Sequence, residues 1–227
     1  MFDRESDMTQ VVDRWMQRRG LQTKSEFVTP WGICDLVGLS FDKDSVSLRL
    51  GHRQTRPISS ITRAAILLQI PDVESRRSTT LDSLARHCVP FVPASTVADD
   101  VQQLIRHKYV VQKSKGRLQK VNGWVPLQER MVAVELKLSR IEEAMRQAHA
   151  NQGFADESYV AFPSDVARRV SANASRWSEF FSAGIGLISV SRCQCRVLVP
   201  ATKAGTQDEA IQMYCVEKFW RTRPRGS

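Results

Sequence analysis

Val132-Ala-Val-Glu135-Leu-Lys137-Leu138 is the stretch on which the reading of this chain turns. On a strand, successive side chains face opposite ways, so Val134, Leu136 and Leu138 share one face and Glu135 and Lys137 the other. An acid and a lysine in an otherwise apolar strand are costly unless something uses them. Helical spacing follows directly over residues 139–151, opened by Ser139-Arg-Ile-Glu142, a serine and a glutamate three apart that can each satisfy a free amide. A Glu-x-Lys triplet is expected by chance about 0.8 times in a chain this long, so alone it says little. Here it is the single Asp/Glu-x-Lys of the sequence, and an upstream apolar run, Ile33-Cys34-Asp35-Leu36-Val37, carries another isolated charge.

Two carboxylates and a lysine at strand ends form a site for Mg²⁺, which favours oxygen ligands and keeps several waters. A bound cation of this kind lowers the pKa of a water and neutralises charge developing on a phosphate, and Lys137 is placed to orient the water or stabilise the transition state. Plainer readings stand beside this one. Glu135 and Lys137 can be a surface couple on an edge strand, and Asp35 can end its strand in a turn. The histidines, His52, His87, His107 and His149, are dispersed at no metal or triad spacing and read as structural or surface groups.

Outward from this centre the chain alternates helices and strands. Residues 5–19 have helical spacing and stop at Gly20; residues 26–28 and 33–41 read as strands, and residues 45–50, which alternate Val46, Leu48 and Leu50, as a third. Residues 51–57 look like a linker. Beyond it, residues 60–70, 80–88 and 95–107 predict three helices, the second capped by Thr80 and the third by Ser95, and a basic hairpin follows over residues 109–113 and 117–121. After Pro126 come strands at 131–138, 158–162, 185–190 and 196–199, with helices at 139–151, over much of 164–181, and at 208–219. Trp124 and Trp177 are expected to anchor the core. The domains expected are a split α/β core, 1–56 and 127–227, and an inserted module, 57–126.

The composition agrees with a folded protein that binds a polyanion. Of 227 residues 42% are hydrophobic and 25% charged, which excludes wholesale disorder, and 33 basic against 24 acidic groups leave +9. The segment 57–127 holds 10 basic and 5 acidic groups. The longest aliphatic run, at 64–68, is far too short to span a bilayer, and Met1-Phe2-Asp3-Arg4-Glu5 lacks the apolar core of a signal peptide, so a cytoplasmic protein with no membrane partner is expected. Five scattered cysteines, with Cys193-Gln-Cys195 the one close pair, point to reduced thiols rather than a zinc site.

Taken in order, the helix bearing Glu5, Thr29-Pro-Trp-Gly-Ile-Cys-Asp35-Leu-Val, Val132-Ala-Val-Glu135-Leu-Lys137-Leu-Ser, Arg146-Gln147-Ala148, Ala155-Asp-Glu-Ser-Tyr-Val-Ala161 and Gly184-Ile-Gly-Leu-Ile-Ser189 resemble the PD-(D/E)xK nuclease superfamily. The match covers about 150 residues. It implies a restriction-endonuclease-like mixed sheet flanked by helices. It further implies Asp35 and Glu135 as metal ligands, the Leu136 carbonyl as another, Lys137 as the catalytic lysine, Gln147 as a supporting glutamine, Glu5 as an additional acid, and Mg²⁺, with Mn²⁺ as a substitute, as cofactor. Cys34 stands where the family has proline, and Asp35 and Glu135 lie 100 positions apart where members have a short hairpin. The module between them resembles a winged helix-turn-helix domain. Its wing, with Lys113, Lys115, Arg117 and Lys120 in an acid-free run from Val101 to Gly123, is expected to lie along a phosphate backbone. Asp99 and Asp100 argue against base reading by the helix that carries them.

The expectation is a metal-dependent nuclease acting on nucleic acid, taken as DNA, with a nucleic-acid-binding protein on an inactive scaffold as the alternative. A structural adaptor, and a homodimer or protein partner, also stay open.

Overall fold

The computed structural model describes residues 2–88, 91–121, 125–203 and 208–220. The chain divides into two compact units, Met1–Ser40 with Gln128–Asp208, and Phe41–Leu127 with Glu209–Ser227. The first division thus falls between residues 40 and 41, the second between 127 and 128, and the last helix groups with the inserted segment rather than with the sheet.

The first unit is an α/β layer structure around a six-stranded mixed sheet. Its strands are β1 (Gln22–Thr29), β2 (Gly32–Phe41), and four later ones separated from these by the second unit. The spatial order is β1, β2, then Gln128–Leu136, Glu157–Pro163, Gly186–Val190 and Cys195–Val199. In chain order those four are β6 to β9. Strands β6, β7 and β8 run parallel, while β1/β2 and β8/β9 are antiparallel.

Helix α1 (Ser6–Gln17) covers one face, burying Met8, Val12 and Trp15 against Val134 and Leu136 of β6, Tyr159 and Ala161 of β7, and Ile188 of β8. The other face takes α6 (Ile141–Asn151) and α7 (Ser164–Ala172), where Met145, Ala148 and Val166 meet Val160 and Phe162 of β7 and Leu187 of β8. Tyr159 and Ala161 pointing one way, and Val160 and Phe162 the other, is the period of two that a sheet covered on both sides requires. Trp177 is buried in this second layer, as expected; Trp124 lies outside the described residues. Gly38 of β2 lets the end of α1 approach closely, since a Cβ there would stand 2.6 Å from the Met16 methyl.

The second unit holds helices α2 (Lys43–Gly51), α3 (Ile61–Gln69), α4 (Leu81–Cys88), α5 (Ala94–Arg106) and α9 (Glu209–Trp220). Its small sheet orders β3 (Thr79–Thr80), β5 (Arg117–Lys120) and β4 (Val110–Gln112). Ile66, Leu67, Leu84, Val97, Leu104 and Met213 build its core. The strand expected at residues 45–50 is instead helix α2. The Asp42 carboxylate accepts from the Ser45 amide at 2.7 Å, and the Ser45 side chain first, then that amide, hold Asp42 below its ordinary pKa. The alternation misled because the buried residue of this helix is Arg49, while Leu48 and Leu50 stay exposed.

Arg49 pairs with Glu217 of α9 at 2.6 Å, hydrogen-bonds the Tyr109 hydroxyl and lies 4.2 Å from the Trp220 ring centre. Two expected caps are not formed. Pro93 precedes α5 and Arg140 precedes α6, neither giving a side-chain cap, so Ser95 and Ser139 do not serve that role.

Among the described residues no helix is long and apolar enough to cross a membrane. All five cysteines are free thiols. Burial pushes the Cys215 thiol up to about 12, while Cys193 is exposed.

Candidate functional site

Strand β6 is central in the sheet; its carboxyl end delivers Glu135 into the layer under α6, and Lys137 follows just beyond it, also buried. β2 lies directly beside it, so two positions distant in sequence become neighbours across one strand gap. The Asp35 Oδ2 accepts from the Leu136 amide at 2.7 Å and from the Lys137 Nζ at 3.4 Å. Glu5, in the turn that opens α1, closes the far side: its Oε1 accepts from the Leu138 amide at 3.4 Å and its Oε2 stands 3.8 Å from the Lys137 Nζ. Glu5, Asp35, Glu135, Leu136 and Lys137 are thus brought to one place.

The two carboxylates differ in environment. The Asp35 side chain is 32% exposed, whereas Glu135 is 2% exposed. Glu135 Oε1 accepts from the Asn151 amide at 2.6 Å, at the end of α6, and Oε2 is buried with no hydrogen-bond partner. Burial first, and then the negative charge of Asp35, raise the Glu135 carboxyl from 4.5 to about 7; Asn151, the Cys34 thiol and Lys137 oppose the rise. Burial likewise drives the Cys34 thiol well up, reinforced by the charge of Glu135. Cys34 therefore stays protonated, and it takes a hydrogen bond from the Asn151 amide at 3.4 Å.

An orphaned carboxylate oxygen next to a second carboxylate is the arrangement a divalent cation relieves, because the cation replaces the missing donor and cancels the repulsion. The donor set suits Mg²⁺ or Mn²⁺: oxygen ligands from Asp35, Glu135 and the Leu136 carbonyl, with room for water on the Asp35 side. Among the described residues no three His, Cys, Asp or Glu side chains gather as a ligand cluster, so such an ion would rest on two carboxylates, a carbonyl and water.

Backbone strain marks the same spot. Glu26 of β1, opposite Asp35, has φ of +48°, and this pair drops out of a ladder otherwise continuous from Gln22 to Thr29. Non-glycine residues in that region cost of order 1–3 kcal/mol and cluster at functional sites.

Gln147 is not joined to these carboxylates by a hydrogen bond; its Oε1 is buried without a partner on α6. The residues that sequence reasoning missed are Asn151, Cys34 as a site neighbour, and Arg140, whose guanidinium reaches Glu5 at 3.5 Å. Asn151 had a legible signal, since it stands four residues beyond Gln147, one turn along the same stripe of the helix.

In the second unit, Lys113, Lys115 and Arg117 are exposed around the β4–β5 turn, where Lys115 and Gly116 take positive φ. Lys120 differs: it is partly buried and 3.7 Å from Asp72. Asp100 is withdrawn from the surface by an ion pair with Arg63 at 2.7 Å, leaving Asp99 as the exposed acid of α5. Burial, and then the cations Arg63, Arg56 and Arg106, lower the His107 pKa.

Comparison with known proteins finds no matching family model, no matching curated protein and no matching solved structure.

Proposed function

We propose that this protein is a divalent-cation-dependent nuclease of the PD-(D/E)xK type that hydrolyses phosphodiester bonds in nucleic acid, with DNA the substrate class favoured. The observation that carries this reading is the meeting of Asp35, Glu135 and Lys137, with an unsatisfied buried oxygen on Glu135. Asp35, Glu135 and the Leu136 carbonyl would hold Mg²⁺ or Mn²⁺. When bound, the cation supplies an acidified water and neutralises charge on the phosphate.

The chain's own residues do the remainder. Asn151 fixes the rotamer of Glu135, so one oxygen is held and the other is presented. Lys137 keeps a buried ammonium beside Asp35, where it steadies the attacking water and the negative charge of the transition state. Glu5 and Asp35 flank that ammonium and set its direction.

Charge distribution supports a division of labour. The first unit has 15 basic and 15 acidic residues, while the second has 18 and 9, so the whole +9 belongs to the second. Three helices, a three-stranded sheet in the order β3-β5-β4 and an exposed basic turn favour a winged-helix-like module that holds the phosphate backbone. A cytoplasmic location fits this reading.

A second reading, a nucleic-acid-binding protein on an inactive scaffold, draws on the 3.4 Å ion pair that occupies the Asp35 oxygen with Lys137. One experiment separates the two. With Mg²⁺ supplied, the parent should nick or degrade DNA and Lys137→Ala should lose cleavage while keeping nucleic-acid affinity. Equal cleavage by both proteins sinks the assignment, and binding without cleavage by the parent selects the inactive scaffold.

A further inference from the structure

Two short stretches of the second unit carry cations with no acid among them: Arg53 and Arg56 in the segment that follows α2, and Arg106 and Lys108 where α5 gives way to β4. All four are exposed, and none forms an ion pair among the described residues.

The two stretches are locked together from beneath. Arg49 Nε donates to the Gln54 carbonyl at 3.1 Å, and the Trp220 indole to the Thr55 carbonyl at 3.1 Å. The Arg56 carbonyl takes the Tyr109 hydroxyl at 2.6 Å and Arg49 Nη2 at 3.2 Å. Gln54 then reaches across, its side-chain amide donating to the Lys108 carbonyl at 2.9 Å. Arg49, Gln54, Tyr109 and Trp220 are all buried, so three successive carbonyls are held inward while Arg53 and Arg56 extend into solvent beside Lys108.

The backbone is strained on both sides of this junction. Arg53 has φ of +58° and Lys108 of +67°; with Lys115 of the wing, at +60°, they are the non-glycine residues of the second unit in the left-handed region, among the described residues. Glycine or asparagine relieves that conformation, and each of the three positions holds an exposed cation instead. Residues so strained persist where their surroundings over-determine them, and they cluster at functional sites.

Helix polarity accounts for part of the arrangement. Arg106 and Lys108 lie at the carboxyl end of α5, where cations offset the helix dipole. It does not account for Arg53 and Arg56, which come from another segment and add like charge. His107 sits among them: after burial, the charges of Arg63, Arg56 and Arg106 lower its pKa. The acids on α5 do not neutralise the patch, since Asp100 is paired with Arg63 at 2.7 Å and Asp99 lies seven residues before Arg106, ~10 Å away along the axis. Glu217 of α9 is spent on the buried Arg49.

The patch is also continuous with the wing. From Lys108 the chain enters β4 and reaches Lys113 five residues on, at most ~17 Å away. One turn of duplex DNA is ~34 Å, so both groups of cations can follow one side of a duplex. Arginine's planar fork suits phosphate oxygens, and an array on a fixed backbone recognises a phosphodiester chain with little ordering cost.

We propose that Arg53, Arg56, Arg106 and Lys108, where the α2–α3 segment meets the α5–β4 turn, form a second phosphate-backbone site of the inserted unit, which grips duplex nucleic acid together with the wing. The proposal rests on the nuclease reading for its polynucleotide. It assigns the grip to phosphates rather than to base edges, so it is independent of sequence.

Full-length protein in EDTA, where cleavage is stopped, is titrated with labelled duplexes of two unrelated sequences at several salt concentrations. The parent is compared with Arg56→Gln/Arg106→Gln, which removes one cation from each stretch, and with Arg56→Lys/Arg106→Lys. A third variant, Arg168→Gln/Arg169→Gln, removes the same charge from the exposed side of α7 in the first unit. Melting curves check that all of them fold alike. The Arg56/Arg106 glutamine variant should lower the log–log salt slope by about 1.8 on both duplexes, taking about 0.9 per contact, while the lysine and α7 variants keep the slope of the parent. In the parent, the ring signals of His107, identified by their loss in His107→Gln, should shift when a short duplex is added.

An unchanged slope overturns the proposal, as does an equal loss in the α7 variant, a parent that binds neither duplex, or His107 signals that stay in place while duplex binds. Binding of the parent to phosphatidylglycerol vesicles that is lost in the Arg56/Arg106 glutamine variant, with duplex binding intact, assigns the patch to a lipid surface and overturns it too. Failure of the nuclease reading shows separately, as a parent that cleaves nothing with Mg²⁺ while the Arg56/Arg106 glutamine variant still loses slope.

Discussion

Glu135 should make the metal-free protein lose stability as the pH rises towards neutrality, an unusual direction for a carboxylate. Its carboxyl titrates near 7 in the folded chain and at the ordinary 4.5 when unfolded, because burial and the Asp35 charge disfavour the ionised form. The folded state therefore binds this proton more tightly than the unfolded state does. The associated stability is fully present below pH 4.5, is lost as pH rises from 4.5 through 7, and is flat above that. At 1.36 kcal/mol per tenfold shift the full loss is about 3 kcal/mol.

Glu135→Gln removes the titration and keeps an oxygen for the Asn151 amide. It also places amide hydrogens where Oε2 had no partner, at a cost that does not vary with pH and so cancels when the two proteins are compared across pH. In EDTA, the melting temperature of the parent minus that of Glu135→Gln should fall by about 6–12 °C between pH 4.5 and 7.5, taking 2–4 °C per kcal/mol for a chain of this size. At pH 7.5, Mg²⁺ or Mn²⁺ should raise the melting temperature of the parent and not that of the variant, since an ion bound only to the folded state stabilises it. A difference that stays constant with pH would refute the electrostatic reasoning, and equal stabilisation of both proteins by the ion would refute the ligand assignment.

Asn151→Ala should weaken Mn²⁺ binding by 10- to 100-fold, the usual consequence of losing a residue that orients a ligand, as checked by calorimetric titration. Lys113→Ala/Lys115→Ala should reduce the salt slope on duplex DNA by about 1.8, whereas Lys120→Ala should leave it nearly unchanged because Lys120 turns towards Asp72; binding titrations at several salt concentrations read both. Glu217→Gln should destabilise the second unit by about 3–5 kcal/mol, since it leaves the Arg49 guanidinium buried without its counter-charge, and denaturant unfolding followed by tryptophan fluorescence measures the loss.

Much of the architecture could be read from local pattern. Apolar residues spaced for one face mark α1 and α3, and the continuous apolar run that a doubly covered strand needs marks β6 and β7. The candidate site was legible as well, because charges such as Asp35, Glu135 and Lys137 are conspicuous in apolar runs. What misled was any element whose inward face is polar. Helix α2 turns Arg49 inward and leaves its leucines outside, so a hydrophobic count along it reports the wrong period.

Capping residues misled for a related reason. Ser95 and Ser139 have the right chemistry, but where the backbone enters a helix depends on how the preceding segment is held, and in both helices the entry is at another residue.

The sequence by itself determined which side chains are available for chemistry and which segments bury a face, because both follow from residue type and spacing. Tertiary structure alone decided their meeting. The neighbouring positions of β2 and β6 set Asp35 against the Leu136 amide across 101 positions of sequence, and the end of α6 delivers Asn151 to Glu135. It decided, too, that α9 joins the second unit, through a Glu217 whose partner lies 168 residues earlier. The orphaned oxygen of Glu135 and the raised carboxyl it belongs to are likewise products of packing, because desolvation is imposed by neighbours and no local run of residues encodes it.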